Sequence, residues 1–220
     1  TQFTGNDTSI VIGKDATSGY DTGIIIGQSA SSTASWGDYV TVVGHSATAR
    51  QKGISIGWGA NTNLGGDFAT AIGVSCRAGQ SAVSMGYRVG WNATTPVRYG
   101  VAIGYNACNT LTSQDFATSI GYNTECTTGA TALGSYAEAL GERSLAIGFK
   151  AQAHGTSWVI ASGDTSAEVG ISGVFGSYTA IPNDQKLAVG GNVPTYTVDA
   201  LGHGAMVRAT GVIVGNSGVV

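Results

Sequence analysis

Charge is scarce in this chain. Lys, Arg, Asp and Glu make up 10% of 220 residues, and the formal net charge is -3. So weak a field gives a polyanion little to hold, so neither nucleic acid nor an anionic membrane surface is an expected partner. No apolar stretch approaches the roughly 18 to 20 residues that a bilayer-spanning helix needs, and membrane insertion by this segment is not expected. Runs rich in Glu, Lys and Leu, which would favour long helices, are missing. There are three prolines and no G-X-Y period, which excludes collagen. The three cysteines, Cys76, Cys108 and Cys126, are odd in number and form no C-x-x-C pair, which argues against a disulfide framework and a zinc site.

Glycine, by contrast, is abundant: 35 residues, about twice the usual share. Much of it belongs to one step, apolar-apolar-Gly or small-apolar-Gly. The step recurs at Gly13, Gly27, Gly44, Gly57, Gly73, Gly86, Gly104, Gly121, Gly134 and Gly148, every 13 to 18 residues. A tandem array of this kind is built from units too short to bury their own apolar faces, so neighbouring units must stack.

Within each unit the residue before the glycine is Ile, Val, Leu or Met, and the residue three before it is often large or β-branched. The one between is mostly small, as in Ser55, Ala71, Ser84, Ala102, Ser119, Ala132 and Ala146. Large-small-large is a period-2 pattern and predicts a strand. Placing the large residues in the core leaves the small ones on the opposite face, open to close approach by a partner. The glycine then permits a bend or a turn with positive φ. After it comes x-x-Ala-x-Ala, as in Tyr136-Ala137-Glu138-Ala139, which predicts a second, narrow strand. Cys76 and Cys126 occupy positions where other units carry these alanines, the ordinary role of a small buried residue. The expected fold is all-β, with stacked coils of two short strands paired in parallel.

Ser144-Leu-Ala-Ile-Gly148-Phe-Lys-Ala-Gln-Ala-His-Gly155 and Gly129-Ala-Thr-Ala-Leu-Gly134-Ser-Tyr-Ala-Glu-Ala139 resemble the head repeat of YadA-like trimeric adhesins. The resemblance covers roughly residues 8 to 155. It implies a left-handed parallel β-roll, or β-solenoid, of 13–18-residue repeats, a homotrimer, and a surface that attaches to a target. Residues 1–155 are then the head repeats and 156–220 a β-rich C-terminal segment, either an interwoven tail or a small trimerisation domain. No neck or heptad stalk follows Gly155. Instead Tyr196-Thr-Val-Asp-Ala-Leu-Gly202 through Met206–Val214 looks like segments of phage tail fibres. The expected protein is therefore a non-enzymatic head of a phage tail fibre, a virion component that binds a glycan or protein receptor on a bacterial surface. The alternative is the head of a bacterial trimeric autotransporter adhesin on the outer surface, binding host matrix or cells.

His45, His154 and His203 are isolated, with no metal-ligand spacing and no nucleophile elbow. No catalytic residue, metal or cofactor is expected. The nearest enzyme class is the hexapeptide-repeat acyltransferases, but their hexads run consecutively, whereas a hexad-like step occurs here once per unit. Two groups of aromatics are candidates for contact. Trp58, Tyr87, Tyr105, Tyr122 and Phe149 follow a repeat glycine and would align into a ladder, either packed in a core or interface or exposed as a stripe. The longer units carry Trp36, Tyr39, Trp91, Arg98 and Tyr99 in insertions, which in stacked repeats loop out on one face, often the binding face. These either meet a receptor or cap the core beneath their own loops.

Overall fold

The computed structural model of the protein describes residues 9–19, 22–33, 39–62, 67–92, 96–109, 115–162, 165–167, 172–177, 180–181, 186–189, 199–201 and 212–214, with side chains as far as residue 160. Among these residues all regular structure is β, in parallel, and there is no helix. The chain divides into two units, Thr1–Ala117 and Thr118–Val220. Each is a parallel β-solenoid.

In the first unit the front wall consists of Ile10–Ile12, Thr22–Ile26, Tyr39–Val43, Ile54–Ile56, Thr70–Ile72, Val83–Tyr87 and Val101–Tyr105. These pair in chain order. Ile10 lies opposite Ile24, Ile24 opposite Thr41, Thr41 opposite Ile54, Ile54 opposite Thr70, Thr70 opposite Val83 and Val83 opposite Val101. The back wall is thinner, with Ser31–Ser32 paired to Thr48–Ala49 and single bridges at Thr17, Asn61 and Arg77. In the second unit the front wall runs from Thr118–Ile120 through Thr131–Leu133 and Leu145–Ile147. The parallel ladder continues beyond Gly155 through Trp158–Ser162 and Ser172–Ser177 to Val212–Val214. Its back wall pairs Glu125–Cys126, Glu138–Ala139, Ala151–Ala153, Thr165–Ala167 and Ala180–Ile181.

The strands follow the period-2 pattern, but they face the other way from the sequence expectation. The middle residue of each front strand is the buried one: Val11, Ile25, Val42, Ser55, Ala71, Ser84 and Ala102 in the first unit, and Ser119, Ala132, Ala146 and Val159 in the second. Opposite them the back wall turns in Ala47, Ala49, Ala60 and Ala78, or Ala137, Ala139, Ala151 and Ala153, all fully buried. The large flanking residues point outward. Ile12 is 57% exposed and Ile10 53%, and Ile24, Ile26, Ile54, Ile56, Met85 and Ile120 are also exposed. The reason is the width of the coil. Two walls joined by tight turns leave room between them for small side chains, and a larger one at most positions would overpack. Cys76, Cys108 and Cys126 are buried and outside any disulfide, and Cys76 and Cys126 fill alanine positions of this core.

Two of the three inward front-wall serines find partners, while Ser84 Oγ is buried without one. Ser55 Oγ donates to the carbonyl of Thr48 at 2.6 Å, and Ser119 and Thr124 hydroxyls bond at 2.6 Å inside the second unit. The outer side of the back wall is polar: Thr48, Asn61 and Arg77, then Glu125, Glu138 and Gln152, with Gln152 Nε2 donating to Glu138 Oε2 at 2.9 Å. The coil therefore has an apolar exterior on the front and a polar exterior on the back.

The two walls meet at two corners, each marked by a residue with positive φ. One corner follows the repeat glycine: Asp15, Ser29, Ser46, Gly59, Ser75, Arg88 and Asn106, then Asn123, Tyr136 and Lys150. The other precedes the next front strand: Lys52, Phe68, Ser81, Tyr99 and Phe116, then Gly129, Arg143 and Gly155. Backbone bonds tie the second corner coil to coil. Phe68 N donates to Gln51 O, Ser81 N to Asp67 O, Tyr99 N to Gln80 O and Phe116 N to Arg98 O, at 2.7 to 3.1 Å.

Candidate functional site

The residues that follow the repeat glycines form exposed columns on the first corner. In the first unit Tyr87 and Tyr105 occupy paired positions of adjacent strands. Their rings stack at 5.0 Å and 15°, with the Arg88 guanidinium 5.4 Å from the Tyr87 ring. Trp58 is 60% exposed and meets His45 of the preceding coil edge to face at 6.4 Å. His45 Nδ1 bonds Ser46 Oγ at 3.0 Å, so this histidine is a turn residue. In the second unit Tyr122, Tyr136 and Phe149 make a chain of edge contacts at 5.2 and 6.2 Å, closed by Lys150 at 5.7 Å from the Phe149 ring. Hydrogen bonding to Tyr136 pushes the Tyr122 phenol above its ordinary range. The aromatic ladder of each unit is thus exposed in the single chain, with its rings packed on one another. Tyr136 belongs to it although Ser135 holds the position after the glycine; a tyrosine at the positive-φ position reaches the same column.

The insertion residues separate. Trp36 lies outside the described residues. Tyr39 opens a front strand opposite Thr22 and is 67% exposed. Trp91 is held from behind: Arg77 Nη1 donates to the Trp91 carbonyl at 2.8 Å and its guanidinium lies 5.9 Å from the indole. Partial burial lowers the pKa of Arg77. Asn92 N donates to Asn109 Oδ1 at 2.8 Å, which ties this insertion to the next coil, and Val89 and Val97 on either side return to the core.

Arg98 and Tyr99 are brought together on the second corner with two residues of the following coil. Arg98 Nε and Nη2 donate to the two Asp115 carboxylate oxygens at 2.7 and 2.5 Å, a fork-to-fork pair. The hydrogen bond, and then the charge, of Asp115 raises the pKa of Arg98. Beside this pair the Tyr99 and Phe116 rings stack at 5.2 Å and 16°, and Tyr99 Oη donates to Gln80 Oε1 at 2.7 Å. Lys52 Nζ lies 4.7 Å from the Phe68 ring two coils earlier. Phe68 and Phe116 are both more than 60% exposed. Neither was among the sequence candidates, although a signal existed. Phe68, Tyr99 and Phe116 each stand two residues before the first residue of a front strand, at Thr70, Val101 and Thr118, so aligning the strands aligns the rings.

These arrangements present flat aromatic faces flanked by planar hydrogen-bonding groups on a solid β scaffold, and such surfaces recognise sugars and protein epitopes. Among the described residues no group of three or more His, Cys, Asp or Glu side chains is placed to hold a metal ion. No protein-family model matches this sequence, and no curated protein matches it.

Proposed function

We propose that the chain is a non-enzymatic attachment module, a homotrimeric head of a phage tail fibre that binds a receptor on a bacterial surface. The observation that carries the assembly is the apolar exterior of the front wall. Parallel sheets are almost always covered on both faces. Here one face packs on alanines, while the other turns outward a double file of Ile, Val, Leu and Met, interrupted by Thr41 and Thr70, along successive coils. Covering a half-exposed isoleucine yields roughly 1 kcal/mol. Summed over successive coils, such residues contribute free energy of the same order as the cost of association, about 4 to 15 kcal/mol.

Three copies turned inward on this face, as the resemblance to YadA-like heads implies, cover it and leave the polar back walls and the aromatic corners on the outside. The left-handed roll and the coil of 13 to 18 residues rest on the same resemblance and on the glycine step in the sequence. The outward aromatic columns support attachment as the task of the exposed surface. The test has two parts. Light scattering of the purified chain at micromolar concentration gives the mass of three chains; a monomer overturns the assembly. Fluorescently labelled chain is then incubated with a panel of bacterial strains. Saturable decoration of some strains supports attachment, and decoration of none overturns it.

A further inference from the structure

The second corner of the first unit holds a file of residues, one per coil: Lys52, Phe68, Ser81, Tyr99 and Phe116. Aromatic rings occupy three of these places, and the small Ser81 interrupts them. Phe68 meets Lys52 on the side of the coil before it, and Tyr99 stacks on Phe116 on the side of the coil after it. Each ring therefore has one face occupied and turns the other toward the coil of Ser81. Phe68 and Tyr99 are two inter-strand steps apart, roughly 9 to 10 Å. The residue between them is the small, exposed Ser81, whose side chain is too short to fill the interval and so leaves a slot with the serine as its floor.

The dimensions of the slot select its occupant. A flat ring in contact with both walls at 3.5 to 4.0 Å spans about 7 to 8 Å and would be loose. A puckered saturated ring carries hydrogens on both faces, is thicker, and fills the gap. The rim supplies hydroxyl partners: Ser81 itself, the Gln80 amide that accepts from Tyr99 Oη, and the carboxylate of Asp67. Lys52 and Arg98 offset Asp67 and Asp115, so the site carries no net charge.

We infer that the slot between Phe68 and Tyr99, floored by Ser81, binds one neutral pyranose ring of a surface glycan. The inference rests on the attachment reading for its biological setting and names the ligand class of that surface. Saturation-transfer NMR tests it, with methyl glycosides of glucose, mannose, galactose and rhamnose as probes and indole as the flat-ring control. At least one glycoside receives saturation, with a Kd in the roughly millimolar range expected of a single sugar ring. Ser81→Phe completes the aromatic file between Phe68 and Tyr99, which already hold aromatic rings at the same backbone conformation, so it folds and fills the slot; glycoside binding falls at least tenfold. Tyr99→Ala removes one wall and gives the same loss. No transfer to any glycoside, transfer unchanged in Ser81→Phe and Tyr99→Ala, or a Ser81-dependent response to indole alone overturns the inference. The two readings fail separately. Strain decoration that survives both substitutions without glycoside binding removes the slot and leaves attachment standing. Glycoside binding without decoration of any strain keeps the slot and removes the proposed target.

Discussion

Gly44 and Gly57 occupy equivalent places on adjacent coils, and a Cβ built on Gly44 would lie 2.3 Å from the Gly57 carbonyl oxygen. Gly44 also has φ of +140°, a region that essentially only glycine enters. The same contact recurs from Gly13 to Gly27 and from Gly134 to Gly148, so the glycine step is a file of backbones in van der Waals contact. Gly44→Ala is expected to cost at least about 3 kcal/mol, from the strained φ and the displacement of a backbone that cannot yield. Gly59→Ala is the control. Its φ of +65° is open to other residues and the nearest atom is Ser75 Oγ at 3.9 Å, so the cost is about 1 kcal/mol. Denaturant midpoints at one fixed chain concentration separate the two; equal losses would show that packing of the glycine file is unimportant.

Ala146 and Ile147 show where the sequence could be read and where it misled. Large-small-large fixes strand and alternation, and both are present at Leu145–Ile147. Which side is inward depends on how far apart the walls stand, and that distance is a property of the closed coil. A sequence rule that puts the larger residue inside fails when the inside is one alanine wide. Ala146 is fully buried beneath the alanine-lined back wall. Ala146→Leu is expected to overpack the coil and lower stability by about 2 kcal/mol or more, read as a fall in the denaturant midpoint. A neutral result would mean that the walls can part.

The corners were less legible than the walls. Tyr87 and Tyr105 announce themselves by following a repeat glycine, and Arg98 and Tyr99 by falling in an insertion. Phe116 also falls in an insertion, between Gly104 and Gly121, whereas Phe68 belongs to no motif; a position two before a strand becomes a column only once the coils are stacked. The fork between Arg98 and Asp115 spans a segment of unequal length between units, so spacing alone does not pair them.

Burial pushes the Cys76 thiol from 9.0 up to about 12. The sign follows from linkage. Below pH 9 the thiol is neutral in folded and unfolded chains, and its contribution to stability is constant. Between pH 9 and 12 only the unfolded chain releases the proton, so the folded state loses ground as pH rises. From pH 9 to 10 the loss attributable to this thiol approaches about 1 kcal/mol. Unfolding midpoints of the unmodified chain and of Cys76→Ala, compared at pH 8 and pH 10, check it. The alanine variant shows a shallower fall, and identical slopes would mean that the thiolate is accommodated without cost.

Ile24 and Ile25 are neighbours in one strand with opposite duties. Ile25 is fully buried, and Ile25→Ala should cost about 2 to 4 kcal/mol by leaving a cavity between the walls. Ile24 points outward and is 41% exposed in the single chain. If other copies cover the front wall, Ile24→Ser combined with Ile26→Ser and Ile56→Ser removes apolar area from the interface without touching the core. The triple variant should keep its far-ultraviolet spectrum and shift toward monomer in sedimentation equilibrium, with a dissociation constant raised at least a hundredfold, about 2.7 kcal/mol. The pairing of the two experiments matters more than either alone. Loss of stability in Ile25→Ala with loss of assembly in the triple variant assigns the two faces of one strand to two different interfaces. An unchanged association state in the triple variant would place the subunit contact somewhere other than the front wall.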